Sequence, residues 1–199
     1  EIVGKEQIVD KETREYRPVE YGDIVILLRT AYGWAETFRE VLASQGIPVY
    51  CTSRTGYFSA TEIVTVLNYL KVCDNPLQDI PLMGVLRSPI VGCTSQELAE
   101  LRIQYPDGLL YESVSAYAGE NEKNSLNIKL KGFLSLLEKV RNMAAYTPVH
   151  ELILYVLKET GYGDYARALP GGEQRFANLT MLVEKAMDYE KTSYRGLFN

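Results

Sequence analysis

A chain of 199 residues is long enough for one or two small domains with a buried core. Its composition, 46% hydrophobic and 24% charged, is that of a globular protein, and it holds no apolar run long enough to read as a membrane span. A formal net charge of -5 and a single histidine argue against a broadly basic nucleic-acid binder and exclude a histidine-rich metal site, so any DNA contact must be local.

The first residues, EIVGKEQIVDKETREYRPVEYGD, are too charged for a signal peptide. The chain opens without Met and closes on the apolar YRGLFN, which reads as a piece of a longer protein. Residues 1–22 suit an edge strand or hairpin arm around the turn-like KETREY. Residues 23–28, DIVILL, form a continuous run of strand formers, the pattern of a strand buried on both faces of a parallel sheet. Trp34, Phe38, Val41 and Leu42 then fall on one helical face, with Gly46 as the stop and Pro48 beyond it. Val49-Tyr50-Cys51 gives a second short strand, and the whole predicts a βαβ unit.

From there the chain reads as helical. Ser59-Ala60-Thr61-Glu62 has the form of a capping box ahead of Ile63, Val66, Leu67 and Leu70. Asn75-Pro76 ends that helix, and Asp79 opens a short one carrying Leu82, Val85 and Leu86. Thr94-Ser95-Gln96-Glu97 is a second capping box. Residues 109–118 are helical, and GENEKNS at 119–125 is a loop. Leu130, Phe133, Leu134, Leu137 and Val140 stripe a long helix over 126–145. Thr147 caps the next, with Pro148 at its first position and His150 in its first turn. Pro170-Gly171-Gly172 breaks the chain before a last helix over 173–190. The expected class is mainly α with a small α/β part.

Cys51, Cys73 and Cys93 are odd in number and widely spaced, which fits reduced thiols in the cytoplasm. The chain has no Gly-rich phosphate loop of the G-x-x-x-x-G-K-[ST] or G-x-G-x-x-G type, so it holds no nucleotide-binding loop. Glu120 and Glu122 read as solvated loop carboxylates. Two places have chemistry to weigh. Arg29-Thr30 follows the predicted strand at its carboxyl end, where α/β sheets bind ligands; the arginine serves either a phosphate or strand-end carbonyls and a carboxylate. In LRSPIVGCTSQEL (86–98), Pro89 and Gly92 force a turn and Thr94 caps the next helix. If the amides of residues 92 to 96 point outward together, they and Arg87 meet an anion such as a duplex phosphate; otherwise the segment is a capped turn that binds nothing.

Residues 23–30, DIVILLRT, then a helix, then Gly46-Ile47-Pro48-Val49, resemble a segment of the UvrD/Rep-type superfamily 1 DNA helicases. The resemblance continues through Gly56-Tyr57-Phe58, Glu62-Ile63, Val66-Leu67, Tyr69-Leu70, Asn75-Pro76 and Asp79. It runs on through Leu82, Val85-Leu86, Ser88-Pro89, Gly92 and Leu98. Gly33-Trp34, the form of residues 86–89, and LPGGEQRFANL at 169–179 are most similar to the A subunits of AddAB-type ATP-dependent helicase/nucleases.

That resemblance implies an incomplete RecA-like portion of the second motor domain (2A, residues 1–76), followed by a truncated helical insertion subdomain (2B, residues 77–199). It implies part of a 3'-to-5' DNA helicase and exonuclease working in double-strand break repair and recombination. ATP and Mg2+ would be used by the intact protein at sites outside this segment, and its partner would be a second, AddB-like subunit. Arg29 and Thr30 would lie by the single-strand track. Arg87, Gly92, Cys93, Thr94 and Ser95 would form the turn facing duplex backbone. Val91-Gly92-Cys93 stands where relatives often carry Gly-Ile-Gly, and Gly33-Trp34-Ala35 replaces a polar run. The alternative is an insertion that docks a partner subunit without touching DNA. The segment itself is expected to carry no ATPase or nuclease site.

Overall fold

The computed structural model describes residues 2–11, 13–29, 34–50, 54–120, 124–191 and 197. They divide into two compact units, residues 1–56 and 57–199.

In the first unit, β1 (Gln7–Val9) and β2 (Tyr16–Pro18) pair antiparallel, with Ile8 opposite Arg17. Asp10 shapes the connecting turn by accepting from the Thr13 amide at 3.1 Å. Arg17 grips Asp10 at 3.0 Å and Asp23 at 2.7 Å. These hydrogen bonds hold the Asp23 carboxyl at about 2, below the usual range. Asp23 also accepts from the Glu20 amide at 2.8 Å, closing a single 3-10 turn over Tyr21–Asp23.

The strand expected at 23–28 does not form. Asp23 is held by the turn, and residues 24–28 join no ladder and are exposed, with Val25 73% and Leu27 89% accessible. Val49 and Tyr50 likewise form no strand, and Cys51 lies outside the described residues. A strand needs a hydrogen-bonded neighbour as well as apolar side chains. Among the described residues only β1 and β2 pair. The helix between the two segments is present as α1 (Ala35–Ser44), and Gly46, at a φ of +72°, supplies its left-handed stop.

The second unit is helical: α2 (Thr61–Asp74), α3 (Asp79–Arg87), α4 (Ser95–Gln104), α5 (Leu110–Gly119), α6 (Ser125–Ala144), α7 (Val149–Thr160), α8 (Tyr162–Ala168) and α9 (Gly172–Glu190). α2 is apolar around most of its circumference, the mark of a central helix. Tyr69, Val72 and Cys73 face one core with residues of α3 to α7. Ile63, Val66 and Leu70 face a second core with Ile153 of α7, Tyr162 and Ala166 of α8, and Leu179, Leu182 and Val183 of α9. The two cores therefore share α2 and α7.

The helix starts differ from the sequence pattern in informative ways. Ala60, not Ser59, is the N-cap of α2 and, having only a methyl group, makes no side-chain cap, while Glu62 turns inward to Arg175. Asp79 is the first residue of α3, yet its carboxylate accepts from the Leu110 amide at 3.0 Å and so caps α5. Pro148 is itself the N-cap of α7. The short α8 lies between Gly161, at a φ of +65°, and Pro170; no sequence pattern marks it. The helices read at 109–118, 126–145 and 173–190 form over Leu110–Gly119, Ser125–Ala144 and Gly172–Glu190.

Candidate nucleic-acid interface

The segment at 86–98 is a turn that closes on the end of α3. Ser88 caps that helix, with its hydroxyl donating to the Val85 carbonyl at 2.7 Å. Gly92 sits at a φ of +72°, and a Cβ there would meet nothing within 4 Å. Glycine is needed for the backbone angle and not for room. The Gly92 amide donates to the Ser88 carbonyl at 2.7 Å and the Cys93 amide to Leu86 at 2.9 Å. The expected capping box is formed: the Glu97 amide donates to Thr94 Oγ1 at 3.1 Å, and the Thr94 amide donates to Glu97 Oε2 at 2.7 Å.

Of the amides expected to point outward, those of residues 92, 93 and 94 thus have intramolecular acceptors. The left-handed glycine folds the Gly92 and Cys93 amides back onto the end of α3, and the Glu97 carboxylate takes the Thr94 amide. Lys129 holds both Glu97 oxygens at 2.9 Å, and this, with the Thr94 amide, keeps the Glu97 carboxyl down at about 2. The negative charge beside the turn is therefore paired.

Gly92, Thr94, Ser95 and Arg87 remain on the surface. Arg87 Nη1 reaches the Cys93 carbonyl at 3.5 Å, and among the described residues it has no carboxylate partner. The Cys93 side chain is buried, which pushes its thiol up to about 11, so that residue can offer a ligand only backbone. In the first unit Arg29 is exposed, and Thr30 lies outside the described residues.

A second set of motif residues meets in space. Glu62 is buried; its oxygens accept from Arg175 Nη1 at 2.8 Å and from Asn178 Nδ2 at 2.7 Å. Tyr57 donates to the Asn178 carbonyl at 3.0 Å. Tyr57, Glu62, Arg175 and Asn178 therefore form one network tying α2 to α9. Gly171, at a φ of +70°, caps α9, and a Cβ on Gly172 would lie 1.8 Å from the Arg167 carbonyl oxygen. The paired glycines let the α8 end and the α9 start touch backbone to backbone.

Around that network a cleft of about 280 Å3 opens between the starts of α2 and α9, the end of α3, and α8. Thr61, Arg87, Pro89, Tyr162, Tyr165 and Arg175 are among its walls. It places Arg87 of the predicted turn in one lining with Arg175 of the 169–179 motif and with Tyr165, which does not stand out in the sequence. Their spacing in the chain gives no signal; only the fold of α8 onto α2 assembles them.

His150 is where the sequence put it, in the first turn of α7. Glu190 at the far end of α9 accepts from the Val149 amide and from His150, which is a helix cap and not a catalytic pair. Glu120 accepts from Gln104 at 3.0 Å on the surface. Among the described residues no group of His, Cys, Asp and Glu could hold a metal ion, and no helix is long and apolar enough to cross a membrane.

The model of the UvrD-like helicase C-terminal domain matches residues 5–197. The chain is similar to the A subunit of the ATP-dependent helicase/nuclease of Bacillus velezensis, with 47% identity over 96% of this chain and 16% of the relative. The corresponding protein of Thermoanaerobacter sp. strain X514 is 46% identical over 96% of this chain and 15% of the relative. For that of Clostridium beijerinckii the figures are 42%, 97% and 16%. The chain thus spans about one sixth of the length of the relatives it matches. With the match running from residue 5 to residue 197, through both units, the chain belongs to the family of UvrD-like helicase C-terminal domains.

Proposed function

We propose that this chain is part of an ATP-dependent DNA helicase/nuclease subunit that acts in double-strand break repair and recombination and moves 3'-to-5'. The observation that carries the reading is identity of 42–47% to the A subunits of helicase/nucleases over nearly the whole chain. In this reading residues 1–76 belong to the second RecA-like domain and residues 77–199 to its helical insertion. The uncovered apolar run at 24–28 supports the first assignment, since a RecA-like sheet takes its other strands from elsewhere in the sequence. The helical character of the described residues from 77 onward supports the other assignment, with α2 of the RecA-like portion lying in the same compact unit.

ATP and Mg2+ bind to other parts of the intact protein, which works in the cytoplasm with a second, AddB-like subunit. Arg29 and Thr30 lie by the single-strand track. Arg87, Gly92, Thr94 and Ser95, with the Cys93 backbone, face duplex phosphates. With three turn amides already bonded, Arg87 and the exposed Thr94 and Ser95 hydroxyls make that contact.

Strand displacement by the full-length protein tests the reading. ATP-dependent unwinding of a duplex with a 3' single-stranded tail is expected, with little on a 5' tail. Failure to unwind either substrate with its partner subunit present rejects the helicase assignment. A Gly92→Glu change is expected to weaken unwinding. If it instead leaves unwinding intact and abolishes heterodimer formation, the turn docks a partner.

A further inference from the structure

The cleft at the junction of α2, α3, α8 and α9 sets Tyr165 and Arg175, which the proposed turn contact does not use, in one lining with Arg87, which it does. Tyr165 stacks on Tyr162, with ring centroids 6.2 Å apart and planes 19° from parallel. Tyr162 is buried while Tyr165 is 45% exposed, so the open area of Tyr165 lies away from its partner. Arg175 gives one terminal nitrogen to Glu62 and its Nε to the Pro170 carbonyl at 3.2 Å, and its side chain remains 34% exposed. Arg87, at the end of α3, also lines the cleft, and its guanidinium makes a long contact to the Cys93 carbonyl at 3.5 Å. Glu62, the one carboxylate among the described lining residues, is buried and shared between Arg175 and Asn178. The cleft therefore carries net positive charge beside an open aromatic ring.

A ring to stack on and a pair of guanidinium groups are what a nucleotide unit needs: a base takes the first and a phosphate the second. A volume of about 280 Å3 suits one such unit and not a folded segment. We infer that this cleft binds a single unpaired nucleotide of a DNA strand, with its base against Tyr165 and its phosphate between Arg87 and Arg175. The inference rests on the reading that the protein acts on DNA. It adds a stacking site for a displaced or frayed base next to the turn proposed to face the duplex. Arg87, at the edge of both, would serve the two together.

The test uses the full-length protein and a fluorescein-labelled duplex with a thymidine-rich single-stranded tail, one thymidine being replaced by 5-bromodeoxyuridine. Ultraviolet crosslinking is expected to attach the tail at Tyr165. Tyr165→Leu should weaken binding of the tailed duplex about tenfold and leave blunt duplex unaffected. Arg87→Gln should weaken the tailed duplex by several-fold and flatten its salt dependence by about 0.7 in log–log slope, the share of one single-strand phosphate. Both positions are exposed, and circular dichroism of each variant should match the parent. If wild-type protein binds neither DNA, this inference and the proposed function fall together. If it binds both but the Tyr165 variant does too and no crosslink maps to α8, the cleft assignment alone falls. If inorganic phosphate competes as well as the oligonucleotide while Tyr165→Leu binds normally, the cleft is only an anion site and the nucleotide is overturned.

Discussion

Arg175 donates to Glu62 across 2.8 Å although the two lie 113 positions apart. The pair ties the first turn of α2 to the first turn of α9 at the edge of the second core. Glu62 is almost fully enclosed, so Arg175→Ala leaves a carboxylate with Asn178 as its remaining side-chain donor; a loss of about 3 kcal/mol is expected. Glu62→Ala leaves a guanidinium that still reaches water, and about 2 kcal/mol is expected. The double variant should cost at least about 1 kcal/mol less than the sum. Urea denaturation checks this, and strict additivity would show that the contact contributes no coupling.

The Thr94–Glu97 box should govern the acid limb of the stability curve. Lys129 and the Thr94 amide favour the ionised Glu97, whose carboxyl falls from 4.5 to about 2. A folded-state value below the unfolded one means that the contribution is complete above about pH 4.5 and is lost as pH falls toward about 2. Glu97→Gln should flatten stability across that window when unfolding is followed from pH 5 to pH 2.5. Thr94→Ala, at neutral pH, should cost about 1 kcal/mol.

Glycine positions should behave oppositely. Gly172→Ala drives a Cβ into the Arg167 backbone and should destabilise by about 3 kcal/mol, unless α9 shifts away from α8. Gly132→Ala in α6 meets nothing within 4 Å at a helical, exposed site and should stabilise by about 0.5–1 kcal/mol. Thermal denaturation of the two variants compares them directly, and equal midpoints would contradict the backbone contact.

Cys73 and Cys93 are buried, and burial pushes their thiols up to about 12 and about 11. Neither should form thiolate at pH 8. Alkylation of the folded protein by iodoacetamide, followed by peptide mapping, should leave both unmodified until denaturant is added. Rapid labelling of Cys93 in the native state would mean that the turn at 86–98 opens.

Helices with a long apolar stripe or a clear break before them are legible in the sequence, because a helix satisfies its backbone within its own segment; α6 has the stripe and α9 the break. The strand at 23–28 is not, because a ladder needs a second strand that local pattern cannot supply. Glu62 reads as a capping residue on spacing alone; a partner 113 residues away takes it instead. The short α8 has only Gly161 and Pro170 to mark it, too little for periodicity. At the candidate interface, the turn, its glycine and its capping box are all visible in the letters. The bonded state of its amides is not, since it depends on where Ser88 and Leu86 present their carbonyls. The cleft is invisible, because Arg87, Tyr165 and Arg175 share no local pattern.

The five consecutive apolar residues at 24–28 have a consequence for handling the protein. Their amides and carbonyls join no ladder, and their side chains face water. Such a segment, rich in β-branched residues and free of charge and proline, is a template on which a second copy can add a strand. Expressed without the polypeptide that would flank it, the chain should self-associate in a concentration-dependent way through this run. Replacing Ile26 by Lys should return it to a monomer in sedimentation velocity, with the helical unit untouched.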